Sequence, residues 1–133
     1  MRFISSLSKS IALLASVVML VIGSLVFSSP AEAANYTVTM GAGGLAFGPQ
    51  KVTVKPGDTV TFKNGMLAPH NVMFNPAKSP DSELSKSLSH KQLAFQAGES
   101  FDVNIPADAK SGDYEFFCTP HRGAGMVGHL IVK

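Results

Sequence analysis

The segment Tyr114-Glu115-Phe116-Phe117-Cys118-Thr119-Pro120-His121-Arg122-Gly123-Ala124-Gly125-Met126-Val127-Gly128 joins two patterns. Its first half alternates, so that Tyr114, Phe116 and Cys118 share one face of a strand. Its second half is a loop, stiffened by Pro120 and able to fold tightly at Gly123, Ala124 and Gly125. The loop carries an imidazole, His121, and a thioether, Met126, just past the only cysteine of the chain. Upstream, Pro69-His70-Asn71-Val72-Met73-Phe74 supplies a second imidazole. By parity His70 faces with Val72 and Phe74, so it points inward if those two are core. His70 and Cys118 are therefore expected at one interior pole, with His121 and Met126 brought to it by the loop.

One Cys, two His and one Met suit an ion that cycles between Cu(I) and Cu(II). Thiolate and thioether favour the lower state, imidazole accepts both, and a weak axial Met leaves three strong ligands. The expected chemistry is one-electron transfer. A lone Cys in an exported chain has no internal disulfide partner, and ligation accounts for its retention. His90 and His129 lack such neighbours and are expected to face solvent.

Outward from this segment, the mature region reads as short alternating strands with turn residues between them. Tyr36, Val38 and Met40 share a face, as do Val52 with Val54 and Val60 with Phe62. Leu93 with Phe95, then Phe101, Val103 and Ile105, repeat the pattern, and Leu130 with Val132 close it. Only Pro80 to Ser89 has helical character, its leucines spaced four apart. The expected fold is all-β: an antiparallel sandwich of about eight strands with Greek-key connections and one short helix or turn.

Residues 1–33 read as an export signal to be cleaved. Arg2 and Lys9 precede an apolar run from Ile11 to Phe27, and Ala31-Glu32-Ala33 is a small-x-small cleavage site. The working domain is then 34–133, with nine basic and eight acidic residues. So balanced a surface offers no footprint for nucleic acid or anionic lipid, which require clustered Lys and Arg. A copper-sequestering protein would favour Met-rich or paired-Cys sites. An oxidase would advertise His-x-His pairs, and a catalytic zinc would need an open position with a general base nearby. The chain has none of these.

The Tyr114–Gly128 segment, with Pro69-His70-Asn71 and Met40-Gly41 through Leu45-Ala46-Phe47, resembles the plastocyanin family of cupredoxins. Four residues separate His121 from Met126, a spacing that sets this family apart from amicyanin, pseudoazurin and azurin. The resemblance implies an eight-stranded cupredoxin sandwich. It also implies one copper ion on His70, Cys118, His121 and Met126, and a monomeric type 1 blue-copper carrier with no enzymatic activity. Electrons would arrive from cytochrome f of the cytochrome b6f complex and leave to photosystem I, in the thylakoid lumen. It further places Leu45, Pro69, Gly123 and Ala124 on an apolar docking rim around His121. Phe117 stands where the family usually has Tyr, and the acidic steering clusters of plant members are missing near Asn75 to Asp81.

Overall fold

A computed structural model describes residues 29–66 and 69–133, and within it Ala33–Lys133 form a compact unit with its own core. Most of the expected export signal, residues 1–28, lies outside the described residues. The strands are β1 (Asn35–Met40), β2 (Phe47–Gly48), β3 (Lys51–Val54), β4 (Thr59–Asn64), β5 (His70–Phe74), β6 (His90–Ala94), β7 (Ser100–Asn104), β8 (Gly112–Phe117) and β9 (Val127–Val132). Helix α1 (Ser82–Leu88) lies between β5 and β6. Asp81 caps it, its carboxylate accepting from the Glu83 and Leu84 amides at 3.1 and 3.0 Å.

Two sheets form, ordered β2-β1-β4-β7 and β3-β9-β8-β5-β6. The chain changes sheet after β2, β3, β4, β6 and β7, which gives the crossing connections of a Greek-key sandwich. Period-two alternation produces the core: Val38, Met40, Val60, Phe62, Val72, Phe74, Tyr114, Phe116, Leu130 and Val132 are all buried from successive strands. Phe116 lies at its centre, with ring centroids 4.8 Å from Phe47, 5.3 Å from Phe62 and 5.4 Å from Phe74. Gly128, paired opposite Phe116, leaves room for that ring; a Cβ there would collide with it.

Three details differ from the sequence expectation. Phe47–Gly48 adds a ninth strand, too short to register as a period. Two pairs are parallel, β1 with β4 and β3 with β9; each joins strands separated by long connections rather than a tight hairpin, as parallel neighbours require. In β6 the core residue is Ala94, whereas Leu93 is half-buried and Phe95 is 65% exposed. The β5–β6 register shifts between His70 and Val72, and such an irregularity upsets parity carried along a strand.

At the far end from this irregular pairing, Asp58 follows the Pro56-Gly57 turn and is buried. Its Oδ1 accepts from the Ala34 amide at 2.8 Å and its Oδ2 from the Lys55 amide at 2.7 Å. These backbone donors, Ala34 first and Lys55 next, hold the carboxyl below the ordinary aspartate range. A depressed carboxyl stabilises the fold above its unfolded pKa, about 3.9, and that contribution disappears as pH falls through the folded value. Asp58→Asn in the metal-free protein is thus expected to flatten part of the loss of urea resistance on acidification. An unchanged acid profile would show that this carboxylate contributes nothing.

Candidate metal centre

His70 opens β5 and is fully buried, while Cys118 follows the last residue of β8 and is also fully buried. Each is aimed inward by the parity of its strand. Beyond Cys118 the chain folds back through a 3-10 turn, Arg122–Ala124, and Gly125 closes the turn with φ of 84°. The Met126 amide donates to the His121 carbonyl at 3.2 Å, and the Cys118 amide donates to the Met126 carbonyl at 3.1 Å. The loop is thereby tied to the strand that it leaves, and Met126 is fully buried beneath it.

The thiol is the convergence point. Cys118 Sγ lies 3.6 Å from His70 Nδ1 and 3.5 Å from His121 Nδ1. All three donor atoms fall within 4.8 Å of one another. A first-row ion with about 2.0 Å bonds to nitrogen and about 2.3 Å to sulfur places its donors at such separations. His70 Nε2 is 3.0 Å from the Met66 carbonyl, to which it donates, so Nδ1 keeps its lone pair. Gly41, with φ of 82°, makes that contact possible, since a Cβ there would collide with the Met66 carbonyl and stand 2.8 Å from His70 Nε2. Sequence reasoning missed both Met66 and Gly41; the Met40-Gly41 pair was visible, but its closeness to His70 is a product of folding.

Electrostatics favour the neutral forms of Cys118 and His121 in the metal-free site. Burial pushes the Cys118 thiol up, an effect partly offset by the Asn71 and His121 backbone amides. Burial, and then the neighbouring His70, hold His121 below the ordinary histidine value. Thiolate ligation releases the thiol proton, so metal uptake weakens as pH falls.

Asn71 braces the two halves of the site. Its Oδ1 accepts from the Thr119 amide at 2.8 Å, and its Nδ2 donates to Thr119 Oγ1 and the Lys91 carbonyl, both at 3.1 Å. Asn71→Ala removes all three bonds and is expected to weaken copper affinity by roughly 10- to 100-fold, the range for such supporting groups. Competitive chelator titration measures it, and an unchanged affinity would count against the brace.

The remaining histidines stand apart from the cluster and are less solvent-facing than expected. His90 stacks on Phe101 with centroids 3.7 Å apart, and His129 Nδ1 lies 3.0 Å from Asp113 Oδ1. The surface next to the site is apolar in places: Leu45 is 37% and Met66 74% exposed. The Arg122 guanidinium covers the Phe117 ring at 3.9 Å.

A two-sheet sandwich with a buried thiol between two imidazoles at one pole defines a single-ion, copper-binding cupredoxin. Residues 34–133 match the family described as copper binding proteins, plastocyanin/azurin family. The chain is 46% identical to a plastocyanin of Nostoc punctiforme, covering 100% of this chain and 99% of that one. It is 41% identical to a plastocyanin of Prochlorothrix hollandica, with both chains covered in full. Oxidised plastocyanin from Dryopteris crassirhizoma superposes with a TM-score of 0.63 at 33% identity, over 73% of this chain and 99% of that structure. The chain belongs to the plastocyanin/azurin family of copper-binding proteins. It is a blue-copper electron carrier with redox partners, not an enzyme.

Proposed function

We propose that the chain carries single electrons from cytochrome f of the cytochrome b6f complex to photosystem I in the thylakoid lumen. In this reading copper is held by His70, Cys118, His121 and Met126, and residues 1–33 are removed on export. The observation that carries the ligand assignment is the approach of both Nδ1 atoms to one buried sulfur, at 3.6 and 3.5 Å. Bound copper supplies a one-electron couple, tuned by a soft sulfur set and two imidazoles.

The chain's own residues supply the rest. Cys118, His70 and Met126 are fully buried, which excludes water from them, and a packed interior of this kind would limit their movement between oxidation states. His121 is only partly buried, so it is the member of the set that a partner can approach. Leu45, Gly123 and Ala124 are exposed and Pro69 half-buried, consistent with an apolar rim. Electrostatic steering is then weak or rests on Arg122 and scattered lysines, since Lys78 is paired with Glu115 at 3.3 Å and the mature charge is close to balanced. Charge complementarity chiefly sets association rate.

The test is flash and stopped-flow kinetics of the copper-loaded protein with cytochrome f and with photosystem I. Saturable reduction by the first and oxidation by the second are expected. Exchange with neither would overturn the partner assignment while leaving the copper site standing.

A further inference from the structure

The buried carboxylate of Asp58 has a partner whose chemistry changes if the leader is removed. Ala34 N lies 2.8 Å from Asp58 Oδ1, directly at the bond that cleavage after Ala31-Glu32-Ala33 would break. Asp58 is 4% exposed, and its other oxygen is occupied by the Lys55 amide at 2.7 Å. The Ala34 carbonyl accepts from the Thr59 amide at 3.0 Å, and the next residue, Asn35, starts the β1–β4 pairing opposite Thr59. Upstream, Ser29 to Ala33 are exposed and form neither helix nor strand, the state in which a peptidase can bind a chain.

We infer that hydrolysis of the Ala33–Ala34 bond converts the Ala34 nitrogen into an ammonium paired with Asp58, so that leader removal itself strengthens the fold. The inference rests on the leader reading given above. In the step, a leader peptidase adds water across the amide. The hydroxyl goes to the Ala33 carbonyl carbon, giving a carboxylic acid that loses its proton to become a carboxylate, and the other hydrogen of the water goes to the Ala34 nitrogen. At neutral pH the freed amine takes up a further proton, as α-amino groups do below about pH 7.7–8.0. An opposite charge at hydrogen-bond distance favours that charged form. One N–H keeps the bond to Oδ1, and Ala34 is only half-buried, so the other two reach water. The amide of the uncleaved chain offers the same carboxylate a single neutral donor. Hydrogen bonds between two charged groups are the stronger kind.

The consequence falls on β1. It is held to β4 along its whole length, and an ion pair at Ala34, the residue just before it, anchors the sheet where the chain enters. Export in an unfolded state would then end with a fold more stable than that of the precursor.

Two chains test this, one beginning at Ala34 and one at Ser29, in which the Ala34 nitrogen remains an amide. Urea unfolding of both, metal-free at pH 7, is expected to give the first a folding constant roughly 5- to 30-fold larger. Equal constants would overturn the ion pair. Repeating the pair with Asp58→Asn should abolish the difference, and its persistence would overturn Asp58 as the partner. The first comparison changes no side chain, so it decides even if Asp58→Asn fails to fold. Separately, the exported full chain should begin at Ala34; any other first residue would overturn the processing step without touching the ion-pair measurement.

Discussion

Cys118→Ser is expected to abolish the intense visible absorption of the copper-loaded protein and its exchange of electrons. The thiol is the only soft anionic donor in the cluster, and both histidine Nδ1 atoms are arranged around it. A hydroxyl in its place is a hard, weakly acidic group that copper(I) does not prefer. The charge-transfer band requires a sulfur-to-copper bond, so its loss should be complete rather than partial. Folding should survive, because the exchange is nearly isosteric and leaves a buried hydroxyl with two imidazoles beside it. Visible and electron spin resonance spectra after Cu(II) addition measure the effect, with unfolding curves as the control. An intense blue band retained in a folded Cys118→Ser protein would remove Cys118 from the ligand set.

Phe116→Ala is expected to cost about 3–5 kcal/mol of stability, the range for truncating a buried phenylalanine. Phe116 is fully buried and meets Phe47, Phe62 and Phe74 at centroid distances of 4.8–5.4 Å. It thus joins rings from both sheets, and its removal takes away contacts with three other rings at once. Domains of this size hold about 5–15 kcal/mol in total, so the variant would sit near the edge of folding. Urea unfolding of the metal-free protein gives the value. A loss below about 1 kcal/mol would mean that the core relaxes into the space. Phe116→Leu should fall between the two, since most of the apolar volume remains.

Much of the site was legible because its residue types are unusual and closely spaced. A Cys, a His and a Met within nine residues, separated by Pro and Gly, announce a ligand loop before any folding is considered. Parity placed His70 and Cys118 indoors correctly: Tyr114 and Phe116 alternate into the core ahead of Cys118, and Val72 and Phe74 are buried with His70, although Asn71 between them is buried as well. Parity failed at the end of β6, where Ala94 is buried in the core and Phe95, just beyond the strand, is exposed. The shifted register against β5 is a property of the pair, which one strand's sequence cannot reveal. Strand direction was equally hidden: alternation is identical in parallel and antiparallel ladders, so the β1–β4 and β3–β9 pairs went unread.

The amino-acid sequence by itself determined which chemistry was possible: soft and imidazole donors, an all-β pattern, and a short helix or turn between Pro80 and Ser89. Side-chain chemistry and short-range periodicity are local, and local properties survive in a linear chain. Tertiary structure alone decided which backbone groups complete them. The Met66 carbonyl sets the His70 tautomer, Gly41 leaves space for it, Asn71 ties β5 to the Cys118 loop, and Asp58 meets Ala34 across 24 positions. Each of these joins atoms distant along the chain or buried in its turns, and their distances are set by how two sheets pack rather than by any residue's own preference.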